Sequence, residues 1–249
     1  NLNIPIFKNI QIRRAFAHAI NFNKVNKEVF LNEYARLQSF YSGVGQYTNR
    51  RIRARSFNIK TVEQIMKKAG WKRGQDGIWG KQKNRFSVKV SFSNPLFRQR
   101  MVLIKEEAKK AGVEIILREL DRSSSYREIM EKKHQVSYMG WVIGIRPSPW
   151  QAFHSDNANK PQTNNVNNLA DTLMDSYIDR YRKSINKFER IMLSKQIQKR
   201  IYDLCVWIPM ERIPFTREFH WRWLKYPIIP GPKNLRGDSK YPFFYGYYW

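Results

Sequence analysis

The segment "FSVKVSFSNPLFRQRMVLIKEEAKKAGVEIILREL", residues 86–120, decides the fold because its hydrophobic period changes twice. Phe86, Val88 and Val90 alternate with polar residues, which predicts a strand. Apolar residues then recur at helical spacing between Pro95 and Gly112, two residues typical of a helix start and a helix end. The stretch "VEIILREL" returns to a strand pattern. The segment therefore predicts a β-α-β unit.

Downstream residues extend this unit. "SSSYREIMEKK", residues 123–133, predicts a capped helix, and "QVSYMGWVIG", residues 135–144, predicts a further strand. The order β-α-β-α-β is typical of the α/β class, here a mixed sheet flanked by helices. Two more helices follow a long Asn-rich loop. We expect Leu169, Leu173, Tyr177 and Tyr181 to line the first of them. We expect Leu193, Ile197, Ile201 and Leu204 to line the second.

Upstream, "NIQIRRAFAHAI", residues 9–20, predicts an amphipathic helix with Ile12, Phe16, Ala19 and Ile20 in its core stripe. A second short helix ends near Phe30 and is followed by the crowded run "YARLQSFYSG", residues 34–43. This run has hydroxyls, aromatic rings and a guanidinium but no core pattern. We predict that Tyr34, Arg36, Ser39 and Tyr41 share one exposed concave surface, and burial of Tyr34 and Phe40 as packing is the alternative. "TVEQIMKKAG", residues 61–70, predicts a helix with a Thr61–Gln64 capping box.

Charge is the strongest feature of the composition. The 249 residues include 46 Lys and Arg against 20 Asp and Glu, a net charge of +26 that attracts nucleic acid, anionic lipid and acidic ligands. The excess is spread along the whole chain, which favours a solvated basic surface over one binding stripe. No apolar run reaches the roughly 18 residues of a membrane span. The chain starts with Asn and shows no leader, so we expect a fragment or a processed chain.

The residues needed for catalysis are scarce. A single Cys205 excludes an internal disulfide and a cysteine metal cage, and the four histidines lie in separate elements without ligand spacing. No nucleophile elbow or phosphate-binding glycine loop is present. We therefore expect a non-enzymatic protein without metal or cofactor. A basic nucleic-acid or anion-binding module stays open, because "HWRWLKY", residues 220–226, could stack bases.

Several strings, in order, resemble the family 5 extracellular solute-binding proteins, the peptide receptors of ABC importers. They are "FKNIQIRRAFAHAINFNKVNKEVF", "AGWKRGQDGIW", the helix and strands that end at Gly140-Trp141, "NNVNNLADTLMDSYI" and "IYDLCVWIPM". The run after the second helix is similar to the YejA-like subgroup of this family. The residues on its motif positions are Asn26, Phe30, Tyr34, Arg36, Ser39, Phe40 and Tyr41.

The resemblance covers the C-terminal half of such receptors and carries several implications. It implies one lobe of a two-lobed binding protein at residues 1–205 and a C-terminal segment, 206–249, that returns to an N-terminal lobe outside this chain. It implies an extracytoplasmic receptor that binds a peptide-like ligand and meets a membrane permease, with no specific nucleic acid. The candidate ligand-binding residues are Tyr34, Arg36, Ser39, Tyr41, Trp141, Arg146 and Asn164. We expect the aromatic residues of the C-terminal segment to be exposed in this chain.

Two positions depart from the family pattern. Asn21 stands where the family commonly has Asp. Family receptors often carry an Asp shortly after Gly-Trp that pairs with the ligand's amino terminus, whereas "GWVIGIRPSPW", residues 140–150, has Gly144 and Arg146 there. The sequence thus favours an anionic or differently presented ligand group over a free amine.

Overall fold

The structure is a computed structural model that describes residues 1–141, 146–212 and 221–223. The α-helices in these ranges are α1 (Pro5–Lys8), α2 (Ile10–His18), α3 (Phe22–Glu28), α4 (Ile59–Lys68), α5 (Arg98–Lys110), α6 (Arg122–Met130), α7 (Trp150–Phe153), α8 (Thr172–Lys183) and α9 (Lys187–Leu204). The strands are β1 (Ala35–Arg36), β2 (Lys72–Arg73), β3 (Trp79–Lys81), β4 (Asn84–Arg85), β5 (Ser87–Phe92), β6 (Glu114–Glu119), β7 (Val136–Ser137) and β8 (Glu211–Arg212).

The β-α-β-α-β segment forms a parallel sheet, which confirms the α/β class. Strand β5 lies between β6 and β7 and is parallel to both, with Val88 opposite Ile115 and Val90 opposite Val136. Strands β2, β3 and β4 form a separate antiparallel sheet, and β1 pairs with β8. The parallel order follows from the crossover helices α5 and α6, because a parallel neighbour requires a connection long enough to recross the sheet.

The larger hydrophobic cluster packs the sheet against helices α2, α4 and α5. All four residues predicted for the core stripe of α2 are buried, as are Phe86, Val88 and Val90 of the central strand. Gly112 ends the α5 segment with φ +83°, and a Cβ there would lie 2.6 Å from the Trp79 indole ring. Glycine is therefore required at this position by its backbone conformation and by the close approach of the indole.

The second hydrophobic cluster joins α8 and α9 to the segment 40–47 and to α7. The stripe predicted for α9 is correct, since Leu193, Ile197 and Ile201 are buried and Leu204 packs against the cluster. The stripe predicted for α8 is wrong at Leu173, which is 43% exposed. The buried residues of α8 are Met174, Ile178 and Tyr181.

The start of α4 differs from the sequence interpretation, and the end of α9 has an unusual backbone conformation. Helix α4 begins at Ile59 rather than at a Thr61–Gln64 capping box, because Asn58 is the N-cap and its side chain accepts from the Thr61 amide at 2.9 Å. Helix α9 ends at Cys205, whose backbone is left-handed at φ 51° and whose thiol is buried.

The predicted C-terminal segment is described only in part. Residues 206–212 run along the lobe, where Trp207 packs against the second cluster and Met210 against the first. Trp221 and Trp223 are exposed, as expected for that segment. The other residues of 213–249, including Trp249, lie outside the described residues, and the boundary at 205/206 stays a prediction. Within the described ranges, no helix combines the length and the apolar character needed to cross a bilayer.

Candidate functional site

A cavity of about 380 Å³ lies where the two hydrophobic clusters meet. Its floor includes Val90, Ile115 and Val136, one residue from each strand of the parallel sheet. The segment Tyr138–Trp141, which follows β7, lines it at the carboxyl edge of the sheet, and residues 206–211 line it as well. Open α/β sheets place ligands at this edge, because the loops that leave the strands there converge.

Three aromatic rings form one wall of the cavity. The ring centroids of Phe40 and Trp141 are 5.9 Å apart, those of Phe40 and Trp207 4.8 Å, and those of Trp141 and Trp207 5.7 Å. Both indoles are only half-buried, so each presents a face as well as an edge. This wall can pack apolar or aromatic ligand groups through tilted and edge-on contacts.

Polar atoms without partners are placed around the same cavity. The unpaired atoms on residues that line it are His134 Nδ1, Ser137 Oγ, Asn167 Nδ2, Trp207 Nε1 and Glu211 Oε2. Buried polar atoms normally find hydrogen-bond partners, because each unpaired atom costs free energy. Desolvation by burial lowers the pKa of His134 to about 4, so this imidazole is neutral at physiological pH. All five atoms are buried within the lining rather than exposed on the surface of the cavity.

A half-buried ion pair holds Glu211, one of the residues that line the cavity. Arg100 Nη1 donates to Glu211 Oε1 at 2.6 Å, and the Tyr138 hydroxyl donates to the same carboxylate oxygen. Burial and the Glu211 charge both raise the pKa of Tyr138, which keeps its hydroxyl protonated. The guanidinium carbon of Arg100 lies 4.5 Å from the Phe30 ring centroid and 4.6 Å from that of Phe97. This arrangement fixes Glu211 while leaving Oε2 unpaired.

The structure brings Ser39 and Trp141 together at the cavity. The expected exposure of Ser39 and Tyr41 is wrong, since they are only 4% and 3% exposed. The Ser39 hydroxyl donates to Gln198 Oε1 at 3.1 Å, and the Tyr41 ring packs edge-on against Phe40 at 4.8 Å. The apolar contacts of this run come from α7, α8 and α9, which its own sequence does not show.

The other candidates lie away from the cavity lining. Tyr34 stacks on Phe30 at 4.3 Å, and the half-buried Arg36 guanidinium lies 5.1 Å from the Phe22 ring. Burial lowers the pKa of Arg36 to about 10, and its Nε and Nη2 atoms have no partner. Arg146 is exposed, and Asn164 donates to Gln151 at 3.0 Å. A role for these four residues in ligand binding stays a prediction.

The sequence interpretation missed Trp207, His134, Ser137 and Glu211. Trp207 and Glu211 fall in "CVWIPME", most of which was assigned to the C-terminal segment that returns to the other lobe. The only sequence signal of a site there was an aromatic and an acidic residue within a basic chain. His134 precedes β7 and Ser137 is its last residue, and neither differs in sequence from ordinary residues in or beside a strand. In the described ranges, no group of three or more His, Cys, Asp or Glu residues could hold a metal ion.

A family model described as bacterial extracellular solute-binding proteins, family 5 middle, matches residues 1–164. The chain belongs to this family. A curated relative, the oligopeptide-binding protein AppA of Bacillus subtilis, is 29% identical over 196 residues, which is 75% of this chain and 33% of AppA. The chain thus spans about a third of the length of this relative.

Solved structures agree on the fold. AppA from Bacillus subtilis in complex with a nonapeptide superposes with a TM-score of 0.77 at 20% identity, over 85% of this chain and 43% of AppA. NikZ from Campylobacter jejuni in complex with Ni(L-His) gives 0.75 at 18% identity, over 85% of this chain and 43% of NikZ. These matches confirm the α/β fold of the lobe, while the family model shows the family, whose members are described as solute-binding proteins. The YejA-like subgroup stays a prediction.

Proposed function

We propose that this chain forms the ligand-binding lobe of a receptor that captures peptides, or solutes that contain peptides, for an ABC importer outside the cytoplasm. The observation that carries the proposal is the cavity at the carboxyl edge of the sheet, with three aromatic rings on one wall and five unpaired polar atoms around it. Support comes from AppA, a relative whose solved structure holds a nonapeptide.

The chemistry of the cavity suits a peptide. A peptide chain alternates carbonyl acceptors and amide donors with side chains of varied polarity. The lining includes the polar side chains of Ser137, Asn167 and Glu211, groups of the kind that donate to ligand carbonyls or accept from ligand amides. The wall of Phe40, Trp141 and Trp207 receives side chains without requiring a particular one.

The partners in this proposal are a second lobe and a membrane permease. Two-lobed receptors enclose their ligand by hinge closure, and the closed state is favoured by contacts with both lobes. This chain supplies one set of those contacts. We therefore expect it to bind peptides weakly by itself and more tightly once a second lobe is joined to it.

Isothermal titration of the chain with a defined mixture of short peptides tests the proposal. Removal of the central ring by Trp141→Ala is expected to weaken binding about tenfold or more, the usual effect of a buried aromatic contact. Trp150→Ala is the matched control, because Trp150 is half-buried near the second cluster but does not line the cavity. Thermal unfolding of both variants shows whether they fold. Equal loss of binding in folded Trp141→Ala and Trp150→Ala, or no peptide binding by the parent chain, would contradict the proposal.

A further inference from the structure

The turn between α8 and α9 carries an exposed apolar surface. Ile185 in this turn is 99% exposed, Phe188 in the first turn of α9 is 79% exposed, and Met192 is 59% exposed. Phe188 and Met192 are four residues apart and therefore neighbours on one helix face. We call Ile185, Phe188 and Met192 the apolar tip. Large apolar residues grouped in this way on a surface mark an interaction site.

The local sequence explains why these side chains stay uncovered. Asn186 is the N-cap of α9, and its side chain accepts from the amides of Phe188 at 2.9 Å and Glu189 at 3.2 Å. Ile185 precedes this cap, the position from which an apolar residue usually packs against the fourth helical residue. That residue is Arg190, whose guanidinium carbon instead lies 4.8 Å from the Tyr181 ring centroid. Ile185 consequently has no apolar partner at the position of α9 against which it would usually pack.

Basic residues surround the apolar tip. Arg182, Lys183 and Lys187 are all exposed. The only carboxylate among residues 180–192 is Glu189, which already accepts from Arg180 at 3.2 Å and from the Ser184 hydroxyl at 2.7 Å. These contacts, with the Ser184 bond first, lower the pKa of Glu189 and keep it ionised. The exposed cations around the tip are therefore available to anionic groups outside the chain.

From this combination we propose that the apolar tip docks on the surface of an anionic lipid bilayer. Ile185 and Phe188 enter the boundary between headgroups and acyl chains, while Lys183 and Lys187 contact lipid phosphates. Apolar side chains beside lysines and arginines are the pattern of proteins that lie in a membrane interface. This inference does not depend on the ligand that occupies the cavity.

Other partners fit the apolar tip less well. A stable protein interface buries about 800 Å² on each partner, far more than three side chains on one turn provide. A second copy would bring two groups of cations together, and this repulsion disfavours a dimer through the tip. Nucleic acid matches the charge but offers no hydrocarbon layer to receive an isoleucine and a methionine. Of the partners compared, an anionic bilayer matches both the positive charge and the apolar side chains of the tip.

An environment-sensitive fluorophore at position 185 tests insertion directly. The Ile185→Cys variant is labelled with a nitrobenzoxadiazole maleimide, which leaves Cys205 unreacted because that thiol is buried. With vesicles of phosphatidylcholine and phosphatidylglycerol, the emission of the label is expected to shift to the blue. This shift is expected to persist when salt is added. The matched control is Leu96→Cys, since Leu96 is another strongly exposed apolar residue, at 79%, and the nearby Arg98 is already paired with Glu119 at 2.8 Å.

Charge variants provide the second measurement. We expect Lys183→Gln and Lys187→Gln each to weaken vesicle binding about fivefold, the effect of one cation at an anionic surface. Lys68→Gln makes the same change in net charge on an exposed lysine of α4 and is expected to have a smaller effect. Equal effects of all three variants, a label at 185 that responds no more than the one at 96, or sedimentation as a dimer through the apolar tip would each overturn the proposal.

Discussion

At the scale of single residues, Asn21 explains a departure from the family pattern. Its side chain caps α3 by accepting from the Lys24 amide at 3.1 Å, and its Nδ2 donates to Glu107 Oε2 at 2.8 Å. Glu107 also accepts from Lys24 Nζ at 3.1 Å and from Lys110, and its side chain is only 5% exposed. An Asp at position 21 would cap the helix equally well but would place a second carboxylate against Glu107.

The Glu107 cluster predicts a dependence of stability on pH. Burial acts to raise the pKa of Glu107, but hydrogen bonds from Lys110, Asn21 and Lys24 outweigh it and lower the pKa to about 2. Because the folded-state pKa lies below the ordinary value of 4.5, the stabilisation is present above about pH 4.5 and is lost as pH falls towards 2. Glu107→Gln should therefore flatten the acid limb of the free energy of unfolding, measured with urea between pH 3 and pH 6.

The neighbouring Glu106→Gln is the control for this effect. Glu106 is exposed on the same helix and loses the same charge. An acid limb that is unchanged in Glu107→Gln, or that changes equally in the two variants, would show that the cluster does not stabilise the fold as described.

Gln198 binds the hydroxyl of Ser39, which helps to explain why Ser39 is buried rather than exposed as predicted. Its Nε2 donates to the Tyr47 carbonyl at 2.7 Å, while its Oε1 accepts from the Ser39 hydroxyl at 3.1 Å and from the Asn49 amide at 2.9 Å. Gln198→Leu leaves these buried groups unpaired and should lower the free energy of unfolding by about 3 kcal/mol.

Chemical denaturation of the Gln198→Leu variant measures this loss directly. Gln196→Leu makes the same substitution on the exposed face of α9 and should change stability by less than about 0.5 kcal/mol. Similar unfolding midpoints for the two variants would mean that the Gln198 network adds nothing. No local pattern in residues 34–43 reveals a partner 159 positions away, so the sequence could not predict the role of Ser39.

At the scale of elements, periodicity predicted most helices and strands because burial repeats with the backbone. The core positions of α2, α9 and β5 were correct for this reason. The stripe of α8 was correct at Leu169 and Tyr181 but wrong at Leu173, because Leu173 and Met174 are both apolar and only packing decides between them. The cap of α4 was misassigned because Asn58 and Thr61 are both good cap residues. Choices of this kind depend on tertiary contacts.

The sequence did not predict how the C-terminus of α9 is stabilised. Three arginines from other segments donate to its last carbonyls: Arg13 Nε to Leu204 at 2.9 Å, Arg14 Nη2 to Asp203 at 3.2 Å and Arg55 Nη2 to Tyr202 at 2.9 Å. Cations at a helix C-terminus satisfy unpaired carbonyls and oppose the negative end of the helix dipole. Part of the apparently dispersed basic charge is thus structural.

Arg13→Met tests this function by keeping the aliphatic stem and removing the donors. We expect amide hydrogens in the last turn of α9 to exchange about tenfold faster or more, because one charge-assisted hydrogen bond contributes about 1.5 kcal/mol or more. Lys8→Met removes an exposed cation of α1 nearby in sequence and should leave this turn protected. Unchanged protection of residues 200–205 in Arg13→Met would contradict the assignment.

At the scale of the whole molecule, the cavity shows where sequence interpretation reaches its limit. Periodicity predicted the sheet, and the family resemblance made Trp141 a candidate ligand-binding residue. The wall also needs Trp207 and Phe40, which are brought to Trp141 by packing in the second cluster. The unpaired atoms of His134, Ser137 and Asn167 could not be predicted from the sequence, because the absence of a hydrogen-bond partner is visible only in the folded structure.

The net charge of +26 leads to a prediction of how the chain binds nucleic acid. If the excess is dispersed, affinity for a random oligonucleotide should fall steeply with salt, because binding then comes from counterion release alone. Trp221→Ala and Trp223→Ala should leave this affinity unchanged. Submicromolar binding at physiological salt that either substitution abolishes would favour a single-strand binder, in which stacking contributes about 1–3 kcal/mol per base.

The central claim is that the cavity beside Trp141 holds a peptide. Photo-crosslinking of the chain with a peptide library that carries benzophenone, followed by mass spectrometry, tests it most directly because a covalent bond captures even weak complexes. We predict that crosslinks concentrate on Met139, Trp141, Trp207 and Met210, all of which line the cavity, and that excess unlabelled peptide abolishes them. Crosslinks that persist under competition, or that map to the apolar tip or to residues 146–164 while sparing the cavity, would contradict the account.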